Sequence, residues 1–121
     1  GASAVLIYGA VKSPLAQPRN FVGGHIVSAL VGVSFYKLIS QPWLASSLAV
    51  ATAIAVMHLT KTLHPPGGAT ALIAVIGSDK IHALGYMYVI TPVALGAIIL
   101  LVVSLIVNNI PNGRRYPVFW W

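Results

Sequence analysis

The chain has 121 residues, of which 58% are hydrophobic and 7% charged, with seven Lys and Arg against a single acid, Asp79. A soluble domain needs roughly 25% charged residues to cover its surface, so the composition implies lipid as the solvent. Cysteine is missing altogether, which excludes disulfides, thiolate nucleophiles and cysteine metal sites. The basic residues fall at helix ends and in connections and form no polar cluster, which speaks against a nucleic-acid partner. With no acid inside an apolar stretch, a neutral or anionic solute fits better than a metal cation.

In chain order, Gly1-Ala2-Ser3 has no initiator Met and no charged n-region, so it is not a signal peptide. Residues 1–20 read as the end of a helix cut inside it, plus a loop. Three stretches approach the ~20 apolar residues a crossing needs: Phe21–Ile39, Leu44 to about Lys61, and Leu84 to about Ile110. The link Ser40-Gln41-Pro42-Trp43 is short enough to make the first two antiparallel neighbours. Pro42 suits a helix N-terminus and Trp43 a membrane interface. Asp79 and Lys80, beside Gly77 and Ser78, read as a solvated loop. Residues 111–121 form a basic, aromatic tail, with Tyr116, Trp120 and Trp121 at the membrane surface.

Alternating crossings would place Lys12, Arg19, Lys61 and Lys80 on one side and Lys37, Arg114 and Arg115 on the other. Four against three does not decide an orientation. Gly23, Gly24, Ala45, Ala49, Ala53 and Gly96 would let helices approach closely in lipid. The fold class expected is all-α, a multi-pass transmembrane helix bundle forming one domain over 1–121. Its helical segments are 21–39, 44–77 and 84–110.

The segment from His64 to Gly77 stands apart. Pro65 and Pro66 stiffen the approach and hold the residues before them out of the helical region. Gly67 and Gly68 permit close approach of a ligand or of another backbone. The helix they open is too short to cross a bilayer. Its first-turn N–H groups, from Gly67 to Thr70, would be left free at membrane depth to attract negative charge. The opposing reading is a tight inter-helix turn followed by an ordinary helix.

Gly1-Ala2-Ser3-Ala4 also matches Gly68-Ala69-Thr70-Ala71 at an offset that carries Phe21 onto Tyr88 and His25 onto Pro92. This suggests a two-fold internal repeat of broken half-helices, with Ser3 doing in the first copy what Thr70 does in the second. Counting two crossings per copy, the copies would share one direction, about an axis along the membrane normal.

The candidate substrate-binding residues are therefore His64, Pro65, Pro66, Gly67, Gly68, Thr70 and Ser3. His25, Arg19 and Lys61 would shape the potential of the path. Arg19 and Lys61 could equally be interfacial anchors. His25 and His58 lie inside apolar spans, where a polar group must find a partner or a cavity. The four histidines share no ligand spacing, so no metal is expected, and nothing points to a cofactor. No serine sits in a nucleophile motif, so no enzyme is expected.

The run Thr62-Leu63-His64-Pro65-Pro66-Gly67-Gly68-Ala69-Thr70-Ala71-Leu72 resembles the signature of the HPP family of integral membrane proteins. Gly1-Ala2-Ser3-Ala4-Val5-Leu6, the stretch Ser13 to Asn20, Gly23-Gly24-His25 and Arg114-Arg115-Tyr116-Pro117 add to the resemblance. It implies a four-helix membrane domain, here without most of the first helix. It also implies transport of a small monovalent anion, nitrite, since plant and cyanobacterial relatives are implicated in nitrite transport. A bacterial cell membrane is the expected location, or a chloroplast envelope if the chain is from a plant. A homo-oligomer is expected, because four helices make a thin wall around a path. The alternatives are a non-transporting anchor or sensing module, and an intramembrane enzyme that would need His25 and His64 at one cavity.

Overall fold

The computed structural model describes residues 1–120, so the surface position expected for Trp121 lies outside the described residues. Every regular element among them is helical: α1 (Ala2–Gly9), α2 (Pro18–Leu38), α3 (Pro42–Leu59), α4 (Gly67–Ile76), α5 (Asp79–Leu84) and α6 (Leu95–Val107). Prolines open α2 and α3, where a missing N–H costs nothing. At 21 and 18 residues these helices are about 31 and 27 Å long, close to the ~30 Å of a hydrocarbon core.

The third span runs Val89–Val107 and begins later than the sequence suggested. Thr91 breaks its first turn with an extended backbone (φ −132°, ψ 118°), as the residue before Pro92 must. Before it, the chain turns at Gly85, whose φ is 52°. Asp79 and Lys80 are not loop residues. They form the first turn of α5, where an aspartate favours the positive end of the helix.

The expected single segment 44–77 is broken. Lys61, at φ 56°, turns the chain back from the end of α3, and residues 60–66 then run alongside the start of α2. Arg19 donates to the Thr60 carbonyl, Asn20 donates to the Leu63 carbonyl, and the His64 Cβ faces Gly24. Helix α4 takes over beside Ser28 and continues past Gly32, which meets Ala71 and Ala74. A ten-residue helix is only about 15 Å long. The seven-residue non-helical entry supplies the remaining depth, so entry and helix together make one crossing.

Direction follows from these contacts. Helix α1 runs against α2, with Ser3 at His25 and Ile7 at Phe21. Helix α4 runs with α2, and α6 runs against it. Val93 packs near Ala29 and Val33, while Leu101 shares a cavity wall with Pro18 and Val22. The elements related by the repeat offset therefore point in opposite directions, and the expectation of two parallel copies is corrected. The cause is the broken crossing. Counting 60–76 as a crossing makes three between Phe21 and Tyr88, and an odd number inverts the direction.

The core is built from small residues. Ala45, Ala49 and Ala53 recur every fourth residue on α3, fully or almost fully buried against Ala71 and Val75 of α4. Without a hydrophobic driving force in lipid, such close approach supplies the dispersion that holds helices together. Apart from Ile7, Phe21, Met57 and Tyr116, which are fully buried, many large apolar side chains point outward; Leu38 and Leu59 are 78% and 83% exposed. This is the reverse of a soluble protein and presents lipid with an apolar surface.

The corrected topology re-sorts the charges. Arg114 donates to the Tyr8 carbonyl and the Tyr116 hydroxyl to the Ala16 carbonyl, which brings the tail to the Arg19 end. That end collects Lys12, Arg19, Lys61, Arg114 and Arg115. The other end holds Lys37, close to the Tyr86 ring, and Lys80 beside Asp79. Five cations against two predicts that the Arg19 end faces the cytoplasm. The native chain has no cysteine, so Arg115→Cys and Lys80→Cys can be labelled singly with a membrane-impermeant maleimide. The two should react from opposite faces, Arg115→Cys from the cytoplasmic one; labelling from the same face would refute the topology.

Candidate functional site

The N-termini of α1 and α4 approach each other at the middle of α2, and four polar side chains meet there. Ser3 is on the first turn of α1, His25 on α2, His64 on the extended entry and Thr70 on the first turn of α4. The Ser3 hydroxyl lies 2.8 Å from His25 Nε2 and 3.1 Å from His64 Nε2. His25 Nδ1 is 2.7 Å from the Thr70 hydroxyl, and His64 Nδ1 is 2.8 Å from the Leu15 carbonyl oxygen. The two imidazole centroids are 5.0 Å apart, and the ring of Phe21 meets both edge-on. His64 is fully buried, while Ser3 and Thr70 are nearly so.

The order of protons in this chain is dictated by its end. A carbonyl only accepts, so His64 carries its proton on Nδ1 and donates to Leu15. A neutral His64 then accepts at Nε2, and the Ser3 hydroxyl donates to it. Having spent its one proton, Ser3 accepts from His25 Nε2–H. His25 Nδ1 is left bare and accepts from the Thr70 hydroxyl. These tautomers are assigned from the hydrogen-bond network.

A cavity of about 240 Å³ borders the cluster. Ser3, His25 and Thr70 give it a polar wall, and Pro92, Gly96 and Leu100 of the third span close it opposite. The Tyr88 hydroxyl donates to the Thr70 carbonyl at 3.2 Å and fixes the start of α4 from the other side.

The remaining sequence-predicted residues lie elsewhere. Three of the four first-turn amides of α4 are not free. Gly67 and Gly68 donate to the carbonyls of His64 and Pro65, and Thr70 to that of Pro66, because the proline turn leads directly into the helix and supplies its own acceptors. Gly67 serves packing: a Cβ there would stand 2.7 Å from Ser28 Oγ and 2.9 Å from Met57 Sδ. Pro65 and Pro66 line a groove on the outer side of α1. Arg19 holds Thr60 and borders a separate apolar cavity with Trp120. Lys61 is the exposed corner residue after α3. His58 is exposed, and His82 stacks on Tyr36 while bonding the Val75 carbonyl. No three potential metal ligands converge among the described residues.

Sequence reasoning missed Phe21, the Leu15 carbonyl, and Pro92 and Gly96. A backbone acceptor leaves no trace in side-chain identity. The repeat offset did carry a signal, since it pairs Ser3 with Thr70 and His25 with Pro92, all four of which line the cavity.

The family model described as "HPP, transmembrane region" matches residues 1–117. The chain belongs to the HPP transmembrane family. Two Dictyostelium discoideum proteins described as transmembrane proteins are 55% and 46% identical to this HPP domain over 124 residues. Each match covers 99% of the chain, which spans 40% and 43% of their lengths. These relatives lend no support to a bacterial membrane as the location. No solved structure matches the HPP chain.

The close seat of His64 against α2 gives a stability test. A Cβ at Gly24 would lie 2.7 Å from both the His64 Cβ and the Thr62 carbonyl oxygen, whereas one at Gly68 meets only Val50 at 3.7 Å. Gly24→Ala should lower stability by about 1–3 kcal/mol through overpacking. Gly68→Ala should be neutral or slightly stabilising. Thermal unfolding of both variants in detergent checks this, and equal melting temperatures would contradict the packing.

Proposed function

We propose that this HPP domain is a membrane transport protein, a permease or channel, for a small monovalent anion, with nitrite as the candidate the family resemblance suggests. One observation carries the reading: Ser3, His25, His64 and Thr70, from four separate segments, form a buried polar cluster beside a cavity among the spans. Polar groups inside a membrane bundle are costly and are kept where a solute passes. The short helix α4 that delivers Thr70 begins beside α1 and α2, at the kind of break where transporters place their sites.

The lack of a nearby carboxylate favours an anion. Asp79, the only acid, lies on α5 toward the far end of the bundle. Arg19 and Lys61, with Lys12, Arg114 and Arg115, act at a distance by raising the local anion concentration at their end. The residues that line the cavity come from one chain, and this reading requires no cofactor.

Proteoliposomes test the proposal. Nitrite influx should exceed that of protein-free liposomes. His25→Ala should reduce it at least about tenfold, the value of a lost hydrogen bond to a charged group. Lys80→Gln, on exposed α5, should leave it unchanged. Wild-type influx no faster than the lipid background would remove the transport reading.

A second reading has one observation in its favour. Ser3 donates to His64, whose other nitrogen is oriented by the Leu15 carbonyl, and this resembles a nucleophile with its base. We propose that it is not one, since no carboxylate orients either ring and Ser3 is also held by His25. A fluorophosphonate probe should therefore leave Ser3 unmodified by mass spectrometry. A stoichiometric adduct on Ser3 would favour the enzyme.

A further inference from the structure

The proton order of the cluster has a consequence for what it can bind. The neutral groups hold four protons: one on His64, one on Ser3, one on His25 and one on Thr70. The four hydrogen bonds from Thr70 to Leu15 use all of them. Ser3 and Thr70 then offer the cavity lone pairs only. An acceptor-only wall repels an anion.

One added proton reverses this. If it resides on His25, Nδ1–H donates to Thr70, and the Thr70 hydroxyl proton is released toward the cavity. If it resides on His64, Nε2–H donates to Ser3, Ser3 donates to His25 Nε2, and His25 Nδ1–H again donates to Thr70. Both arrangements free the same hydroxyl, and they interconvert when His25 Nε2 passes its proton to Ser3 Oγ as Ser3 Oγ passes its own to His64 Nε2. An anion is a stronger acceptor for that hydroxyl than a neutral carbonyl. A second proton would place two cations on rings 5.0 Å apart, so the cluster takes only one.

We propose that the site takes up its anion together with one proton, the proton shared by His25 and His64 through Ser3 and the anion bound by the Thr70 hydroxyl that this proton releases. The proposal rests on the anion-transport reading and deepens it to proton-coupled, electroneutral uptake. The surroundings support it. The titratable side chain facing His25 is that of His64 on the extended entry. Phe21 of α2, Thr70 of α4, and Pro92, Val93, Gly96, Ala97 and Leu100 of the third span bring no charge of either sign. Arg19 and Arg114 are turned to backbone carbonyls. The protonated pair therefore has no counter-ion among the described residues, and the anion itself supplies one. Binding of either partner strengthens binding of the other by the same factor.

The experiment has two arms on the full chain in lipid, with sodium nitrite as probe. In the first, nitrogen NMR of ¹⁵N-histidine-labelled protein at neutral pH should show His64 protonated on Nδ1 and His25 on Nε2. Adding nitrite should produce a doubly protonated imidazole signal. Above the pH at which the pair is empty of protons, apparent nitrite affinity should fall about tenfold per pH unit, the slope for one linked proton. Thr70→Val should weaken the response about tenfold, and Thr70→Ser should rescue it.

In the second arm, nitrite entry into proteoliposomes carrying an internal pH dye, corrected for protein-free leakage, should acidify the lumen one proton per nitrite. The rate should be indifferent to a potassium–valinomycin potential. Nitrite entry that follows the potential and moves no proton would overturn the coupling while leaving the transport reading intact. No nitrite entry and no change in the imidazole signals would overturn both.

Discussion

A single backbone carbonyl sets the polarity of this protein's centre. The Leu15 oxygen can only accept, and the imidazole of His64 is its partner. At membrane depth no water stands by to satisfy a stranded donor or acceptor, so each group in the chain from Leu15 to Thr70 constrains the next. The tautomers of two histidines and the direction of two hydroxyls follow from one backbone atom. A cluster satisfied in this way is also poised, because one proton more or less inverts the hydroxyl at its open end.

The cluster depends on helices packed closely enough to hold it. Gly24 lets the extended entry lie against α2, and Gly67 lets α4 begin beside Ser28 and Met57. The alanine stripe of α3 brings that helix against α4. The seven residues from Thr60 to Pro66 could not span part of a membrane exposed to lipid, since their backbone groups need acceptors and donors. They are tolerated because α2 flanks them: Asn20 takes the Leu63 carbonyl and Arg19 the Thr60 carbonyl. Arg19, read from sequence as shaping the path, and Asn20 thus act as partners for an irregular backbone.

Much of this was legible in advance, and for identifiable reasons. Hydropathy marked three spans because lipid demands long apolar stretches, and the proline and glycine run at 65–68 marked the break because few other residues enforce one. Ser3, His25, His64 and Thr70 were all singled out, His25 as a polar group in an apolar span and the others by the broken element and its repeat. What changed was the expectation of free first-turn amides on α4, three of which are bonded, and of one helical segment over 44–77. Both changes come from the proline turn. Its carbonyls are in fact the acceptors for the helix, and its extended residues carry the chain through the missing depth. The side assigned to Lys80, Arg114 and Arg115, and the relative direction of the repeated elements, then changed together.

Composition and pattern by themselves determined the solvent, the helical class, the broken element and the family, because each depends on local residue chemistry or on the need to fill a bilayer with apolar side chains. Only the tertiary structure decided that Ser3 and His64, sixty-one residues apart, share a hydrogen bond, that Phe21 packs on both imidazoles, and that a backbone carbonyl orders the protons. Those facts depend on which helix faces meet and at what depth, and no sequence spacing encodes the distance between elements that approach from opposite directions.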